Sequence, residues 1–300
     1  MKKQLLTLAI AAIATTGVYA QTADTLAKIK KSGSVTMGVR ESSGALAYTL
    51  GEGKYVGFHT EMSRNIVADL QKDLGLAKID IRYQPLTSQN RIPLIQNGTV
   101  DFECGSTTNN ATRGKDVDFA ITTYVEEVRM AVKANSGIAS IKDLAGKTVA
   151  TTTGTTSVQT LRRDQRASGV DFKEVFGKDH ADSFLLLESG RADAFVMDGS
   201  ILAGNISKSK APADFKVVGE VLSVEPIACM LPKGDAAFKK AVDASIKRQI
   251  ADGSLAKLYD TWFMQPIPPT NTKVGLPMSD ATKDAWANPN ERPMEDYAKK

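Results

Sequence analysis

Two stretches of this chain follow one grammar. LIQNGTVDFECGS (94–106) and LLESGRADAFVMDGS (186–200) each run from an apolar helix end through a glycine, two residues and an aspartate into a β-rich segment. Gly98 matches Gly190, and Asp101 matches Asp193. A glycine just past a helix is a left-handed stop, and an apolar run such as VDFEC reads as the strand that follows. Upstream, GSVTMGVRESS (33–43) and GKTVATTTGTTS (146–157) also correspond, each a strand between a glycine and a polar turn. Two copies of one α/β pattern predict two similar lobes. The alternation of strands and helices predicts parallel or mixed sheets with helices on their faces.

The local patterns agree. SVTMGVR (34–40) has the strand period, with Val35, Met37 and Val39 on one side. Residues 59–74 have the helical period, with Met62, Ile66, Leu70 and Leu74 stacked four apart. KIDIRYQPL (78–86) is again a strand, and Pro93 belongs in or near the first turn of a short helix that Gly98 ends. YVEEVRMAVK (124–133) leaves the first copy and VVGEVLSVEPIACMLPK (217–233) follows the second. If the second is a return, the chain crosses between the lobes twice. Two β-crossovers then form a hinge, with a ligand cleft between the lobes. The remainder from Gln265, rich in proline and asparagine, is expected to wrap over the surface.

The first residues, MKKQLLTLAIAAIATTGVYA, place two lysines before a short apolar run, and Val18 and Ala20 before a cleavage point. This is a secretory signal peptide with cleavage expected after Ala20. The run is too short and too interrupted by threonine for a membrane anchor. No cysteine stands at the cleavage point, which argues against a lipid anchor, so a soluble, exported chain is expected. Without Lys2 and Lys3 the formal charge falls from +4 to +2. Near neutrality, and with no basic run interleaved with aromatics, a nucleic-acid partner is not expected. The two cysteines, Cys104 and Cys229, would meet an oxidising compartment, which favours one disulfide over two free thiols. The two histidines, His59 and His180, are far apart with no cysteine nearby, and no metal cluster is visible.

In open α/β sheets ligands bind beyond the carboxyl ends of the strands. Those ends carry Arg40, then Ser88 and Arg91, then Ser106 and Thr108 with Arg113 five residues on, then Thr155 and Thr156, His180 and Asp198. Each has a plainer reading. A serine or threonine before a helix is often only a cap, and a lone arginine is more often a solvated charge. His59, at the start of an amphipathic helix, reads as structural. The enzyme signatures GxSxG, HExxH, the Walker loop and strand–GxGxxG–helix are all missing. Asp179 and Asp182 flank His180 without a nucleophile or metal, so catalysis has little to rest on.

At these residues the chain resembles the periplasmic amino-acid-binding proteins of ABC transporters, and among them those for acidic amino acids. TSQNRIPLIQNGTVDFECGSTTNN (87–110) carries the resemblance most strongly. TGTTS (153–157), KDHADSF (178–184), LESGRA (187–192), FVMD (195–198), LAG (202–204), CMLPK (229–233) and PIPP (266–269) support it, from about Thr25 through the tail. The resemblance implies a two-lobed α/β periplasmic-binding-protein fold of type II that closes on L-glutamate or L-aspartate. It implies an inner-membrane ABC permease as partner, a monomer, a periplasmic location, no catalysis and no cofactor. The lobes would be 21–126 with a return at 222–263, and 127–221, followed by a tail at 264–300. The family's α-carboxylate site falls on Arg113, Ser106, Thr108 and the turn at Thr155 and Thr156. Its ammonium acceptor falls on Asp198, and its side-chain carboxylate site on Arg40, Ser88, Arg91 and His180.

The chemistry fits the carry-over. A zwitterionic acidic amino acid brings two carboxylates and one ammonium. A helix start with free N–H groups suits one carboxylate, and arginine's planar fork suits either. The same fold serving glutamine or asparagine is disfavoured, because a neutral amide would leave a buried guanidinium unpaired. A periplasmic dehydratase of the cyclohexadienyl type is the remaining alternative. Arg91 is expected in a loop rather than a core, and His180 as an imidazolium facing the ligand's carboxylate.

Overall fold

The repeated turn folds the same way twice. The computed structural model describes residues 23–297; the expected signal peptide lies outside them. In the first copy, helix α3 (Arg91–Gln96) gives way to Gly98, whose φ of 74° suits glycine, and the chain enters strand β3 (Phe102–Glu103) through Asp101. Asp101 is pinned to strand β1 (Ser34–Arg40): its N–H donates to the carbonyl of Thr36 at 2.9 Å, and its Oδ2 accepts from the N–H of Thr36 at 2.8 Å. In the second copy Gly190 also has a φ of 74°. Asp193 repeats the exchange with Thr148 at 2.7 and 2.8 Å. The aspartate therefore sets the register of each new strand against the first strand of its sheet.

Two five-stranded sheets result. In the first, β2 (Asp80–Leu86) and β3 flank β1 in parallel, and β10 (Met230–Leu231) pairs antiparallel with β3 and with β4 (Asp118–Phe119). In the second, β7 (Lys173–Gly177) and β8 (Ala194–Asp198) flank β6 (Thr148–Thr152) in parallel, and β5 (Tyr124–Lys133) pairs antiparallel with β8 and with β9 (Phe215–Ile227). The orders β2-β1-β3-β10-β4 and β7-β6-β8-β5-β9 correspond. A short ribbon of residues 42–43, 47–49 and 55–56 follows β1.

Each sheet is buried by the alternation of its strands. On β5, Val128, Met130 and Val132 face one core with Val149 and Leu161, while Ala131 faces another with Ala150 and Phe195. The first sheet's core gathers Met37 and Phe102 with Met62 and Ile66 of α2 (Phe58–Asp73) and Phe238 of α7 (Ala236–Ala251). Among the described residues no helix is long and apolar enough to cross a membrane.

β5 and β9 connect the two sheets. Their ladder runs from Phe215 opposite Lys133 to Ile227 opposite Tyr124, with an irregularity between Val218 and Ser223. At the Tyr124 end it joins the first sheet's loops: Thr108 bridges Ile227, and Ala120 N–H donates to the carbonyl of Cys229. Cys104 and Cys229 form a disulfide across 125 residues of sequence, both beside the first sheet. The tail then straps this junction. Helix α9 (Asp280–Ala287) donates the indole N–H of Trp286 to the carbonyl of Thr123, and Thr282 accepts from the N–H of Val125. Met294 N–H reaches the carbonyl of Asn109 on the loop after β3.

The lobes are in contact. α6 (Gly199–Lys208) packs so closely on the ribbon that a Cβ on Gly204 would lie 2.6 Å from the Cα of Gly44. Nearby, Lys208 sits 3.9 Å from the ring centroid of Tyr48 and donates to the carbonyl of Gly44.

Candidate functional site

The carboxyl ends of both sheets face one another, and all ten predicted site residues lie there, buried. Arg40 is the last residue of β1. It donates through Nη1 to Ser106 Oγ at 3.2 Å, and through Nη2 to Ser88 Oγ at 3.1 Å and Asp179 Oδ1 at 2.8 Å. Asp179 precedes α5 (His180–Glu188) on the other lobe and also accepts from Ser42 at 2.9 Å. Arg40 is thus an interlobe ion pair with no exposed side-chain surface.

Arg91 does not sit in a loop. It is the first residue of α3 and only 1% exposed, because the short helix turns its amino end beneath the loop after β3. Its Nη1 donates to the carbonyl of Ser106 at 3.1 Å and to Thr107 Oγ1 at 2.7 Å, and the Thr107 hydroxyl in turn donates to Glu103 Oε2 at 2.8 Å. The TSQNR and GSTT segments are therefore interwoven. In particular, the hydroxyl of Ser106 belongs with Arg40 and Ser43, not with Arg113.

Arg113 donates to the carbonyl of Thr108 at 3.0 Å and across the cleft to that of Gly154 at 3.3 Å. The TGTTS turn closes through Thr155, whose hydroxyl donates to the carbonyl of Thr152 at 2.8 Å. Helix α4 (Thr156–Ser168) starts there, and its amino-terminal N–H groups supply the partial positive charge of a helix start. Asp198 ends β8, 1% exposed, and its Oδ1 has no hydrogen-bond partner.

Burial and neighbouring charge compete in this site. Burial, then the charges of Arg113 and Arg40, press the guanidinium of Arg91 well below its ordinary value. Burial, then the charges of Glu126 and Glu225, push Asp198 well above the usual carboxylate range. Burial raises Glu126 to about 8. Arg40 is paired with Asp179, but among the described residues Arg91 and Arg113 have no ion-pair partner and Asp198 Oδ1 has no hydrogen-bond partner: two buried guanidinium groups on one lobe face a buried carboxylate on the other. An unpaired buried charge is expensive, and a zwitterion of matching shape relieves it.

His180 departs from expectation. Arg40 Nη2 lies 3.2 Å from its Nε2, which must accept, so the proton resides on Nδ1 and points to Thr152 Oγ1 at 3.0 Å. Burial and the charge of Arg40 lower its pKa to about 3. It is a neutral acceptor, not an imidazolium, because it is buried and the Arg40 guanidinium donates to it. His59 is structural, as read: it is 1% exposed and held between the carbonyl of Gly105 and Thr123 Oγ1.

Beyond strand parity, the sequence gives no local sign of the parts played by Glu225, Glu126 and Glu103, and Asp179 stands in it only as a neighbour of His180. Glu126 carried a usable signal, since in YVEEVRMAVK it shares the inward parity of Val128, Met130 and Val132. Glu225 lies opposite it in the ladder.

A model of the bacterial extracellular solute-binding proteins, family 3, matches residues 35–265. An L-glutamate/L-aspartate-binding protein of Pseudomonas aeruginosa is 44% identical over 272 residues, covering 90% of this chain and 90% of that protein. A glutamate/aspartate import solute-binding protein of Escherichia coli is 41% identical over 270 residues, covering 90% and 89%. Among solved structures, an ancestral arginine-binding protein bound to glutamine superposes with a TM-score of 0.67 at 28% identity, covering 77% of this chain and 98% of that one. A solute receptor for L-cysteine from Neisseria gonorrhoeae gives 0.71 at 23%, covering 80% and 93%, and shares the fold.

Proposed function

The chain belongs to family 3 of the bacterial extracellular solute-binding proteins, and from this we propose that it captures L-glutamate or L-aspartate between its lobes and delivers it to an inner-membrane ABC permease. It binds without chemistry. The relatives above 40% identity are transport proteins named for these two amino acids. The observation that carries the reading is the meeting of three buried arginines with the buried, unpartnered Oδ1 of Asp198.

In this reading Arg113, the backbone at Thr108 and the backbone of the α4 start at Thr155 and Thr156 take the α-carboxylate, and Asp198 takes the ammonium. Arg91 and Ser88 take the side-chain carboxylate. Arg40, already paired with Asp179, and the neutral His180 shape that end of the pocket. Two arginines and one acid left over match a ligand with two negative charges and one positive. We take residues 21–126 with 222–263 as one lobe, 127–221 as the other and 264–300 as the tail, in a monomer exported to the periplasm after cleavage at Ala20.

Equilibrium dialysis against labelled L-glutamate and L-aspartate, followed by chromatography of the recovered label, tests this. One molecule retained per chain and recovered unchanged is the expected result. A converted product would make the protein an enzyme, and no retention would remove the ligand assignment.

A further inference from the structure

Glu225 has no part in the roles above. It lies on β9 opposite Glu126 and has no exposed surface. Its Oε2 accepts two hydrogen bonds of 2.6 Å, one from Thr108 Oγ1 and one from Thr156 Oγ1. Its Oε1 accepts a third from Ser223 Oγ at 2.7 Å. The two threonine hydroxyls are themselves 3.4 Å apart.

These donors come from opposite lobes. Thr108 lies on the loop after β3 and is tied to the end of β9 by its bridge to Ile227. Thr156 is the first residue of α4, which packs on the second sheet. Rotation of one lobe about β5 and β9 must separate Thr108 from Thr156. A single carboxylate oxygen cannot follow both, so the paired contact exists only when the lobes are together. Hydrogen bonds to a carboxylate are the strong kind, and breaking one inside a buried site leaves both partners in need of water.

We propose that Glu225 is a positioning residue that brackets the lobes shut. It acts through Thr108 and Thr156 instead of touching the amino acid, and it builds part of the closing equilibrium into the hinge. The proposal rests on the two-lobed reading and not on which amino acid is bound. A ligand shifts a two-state equilibrium only by its differential affinity, so a bracket of this kind sets the starting point from which the ligand works.

The test reads the interlobe distance without ligand. Cysteines at Asp73 on α2 and Arg166 on α4, both exposed, take spin labels, and no free cysteine competes among the described residues. The wild-type protein should show a measurable closed population. Glu225→Leu should lower its closed-to-open ratio about tenfold or more, the range expected for hydrogen bonds to a charged group. Glu225→Gln, whose amide oxygen can still accept from both threonines, should recover most of it. An unchanged ratio in Glu225→Leu, or a Gln variant as open as the Leu variant, overturns the bracket. So does a wild-type protein with no closed population. Should the Leu variant not fold, Thr156→Val and Thr156→Ser decide: only Val should open the protein, and equal ratios overturn the proposal. With no ligand in the measurement, an error in the amino acid assigned leaves the result intact.

Discussion

At Arg91 two demands conflict. Its guanidinium is buried among like charges, yet its place at the start of α3 is what turns it toward the cleft. Removing one partner of a buried charge pair costs about 3–5 kcal/mol. Arg91→Met should therefore weaken L-glutamate binding about a hundredfold or more by the same arithmetic. The ligand-free protein should melt no lower, and even higher, because a repelled buried charge has gone. Calorimetry and thermal melts read the two effects separately, and near wild-type affinity would sink the assignment. His180 makes a pH prediction of opposite sense to the imidazolium reading. With its pKa near 3 it is neutral throughout the range from about pH 5.5 to 8.5. Affinity profiles of wild type and His180→Gln should run parallel there, separated by a constant offset; a slope present only in wild type would restore the charged histidine. Stability tells a related story. Burial holds both histidines, at about 4 and about 3, below the ordinary histidine value of 6.5, so the unfolded chain takes up protons first. Stability is full above about 6.5 and is lost as pH falls towards 4 and then 3. Thermal melts of the wild type against His59→Gln should show the slope shrink in the variant.

At the scale of elements, the disulfide and the hinge strands behave differently under perturbation. Cys104 and Cys229 staple the first sheet to the segment that returns from the second. In the chain-entropy model such a long loop gives about 2–5 kcal/mol. Reduction should lower the denaturation midpoint while leaving affinity unchanged, since both cysteines lie beside the first sheet and the bond does not cross the cleft. A loss of binding on reduction, with the fold retained, would show that the staple also shapes the cleft. The elements themselves were legible where period and punctuation agreed. SVTMGVR and YVEEVRMAVK are strands over the residues read, because alternation and flanking turns leave no other register. The glycine–aspartate turn was visible twice, and its purpose, locking Asp101 and Asp193 to the neighbouring strand, is the same twice. The site was legible as a set of strand ends but not as a network. Which hydroxyl meets which arginine depends on packing between segments distant in sequence, so the pairing of Ser106 with Arg40 has no local sign. Arg91 reads as a loop residue because an arginine before a proline-containing turn has no local sign of burial. Glu126 and Glu225 were passed over because a carboxylate in a strand is ordinarily a solvated face, and only their inward parity says otherwise.

For the whole molecule, closure and recognition are one event. Each lobe alone presents charges that water can satisfy; together, with Arg40 paired to Asp179, they leave two arginines and one orphaned carboxylate that water no longer reaches. The ligand must then return two negative charges and one positive to the cleft, and each missing group leaves a buried protein charge unpaired. Calorimetric titration with L-glutamate, L-glutamine and glutarate removes those groups one at a time, since glutamine lacks the side-chain charge and glutarate lacks the ammonium. Saturable binding of one L-glutamate per chain is expected, with glutamine and glutarate each weaker by about a hundredfold or more. Glutamine or glutarate binding as tightly as glutamate would contradict the account.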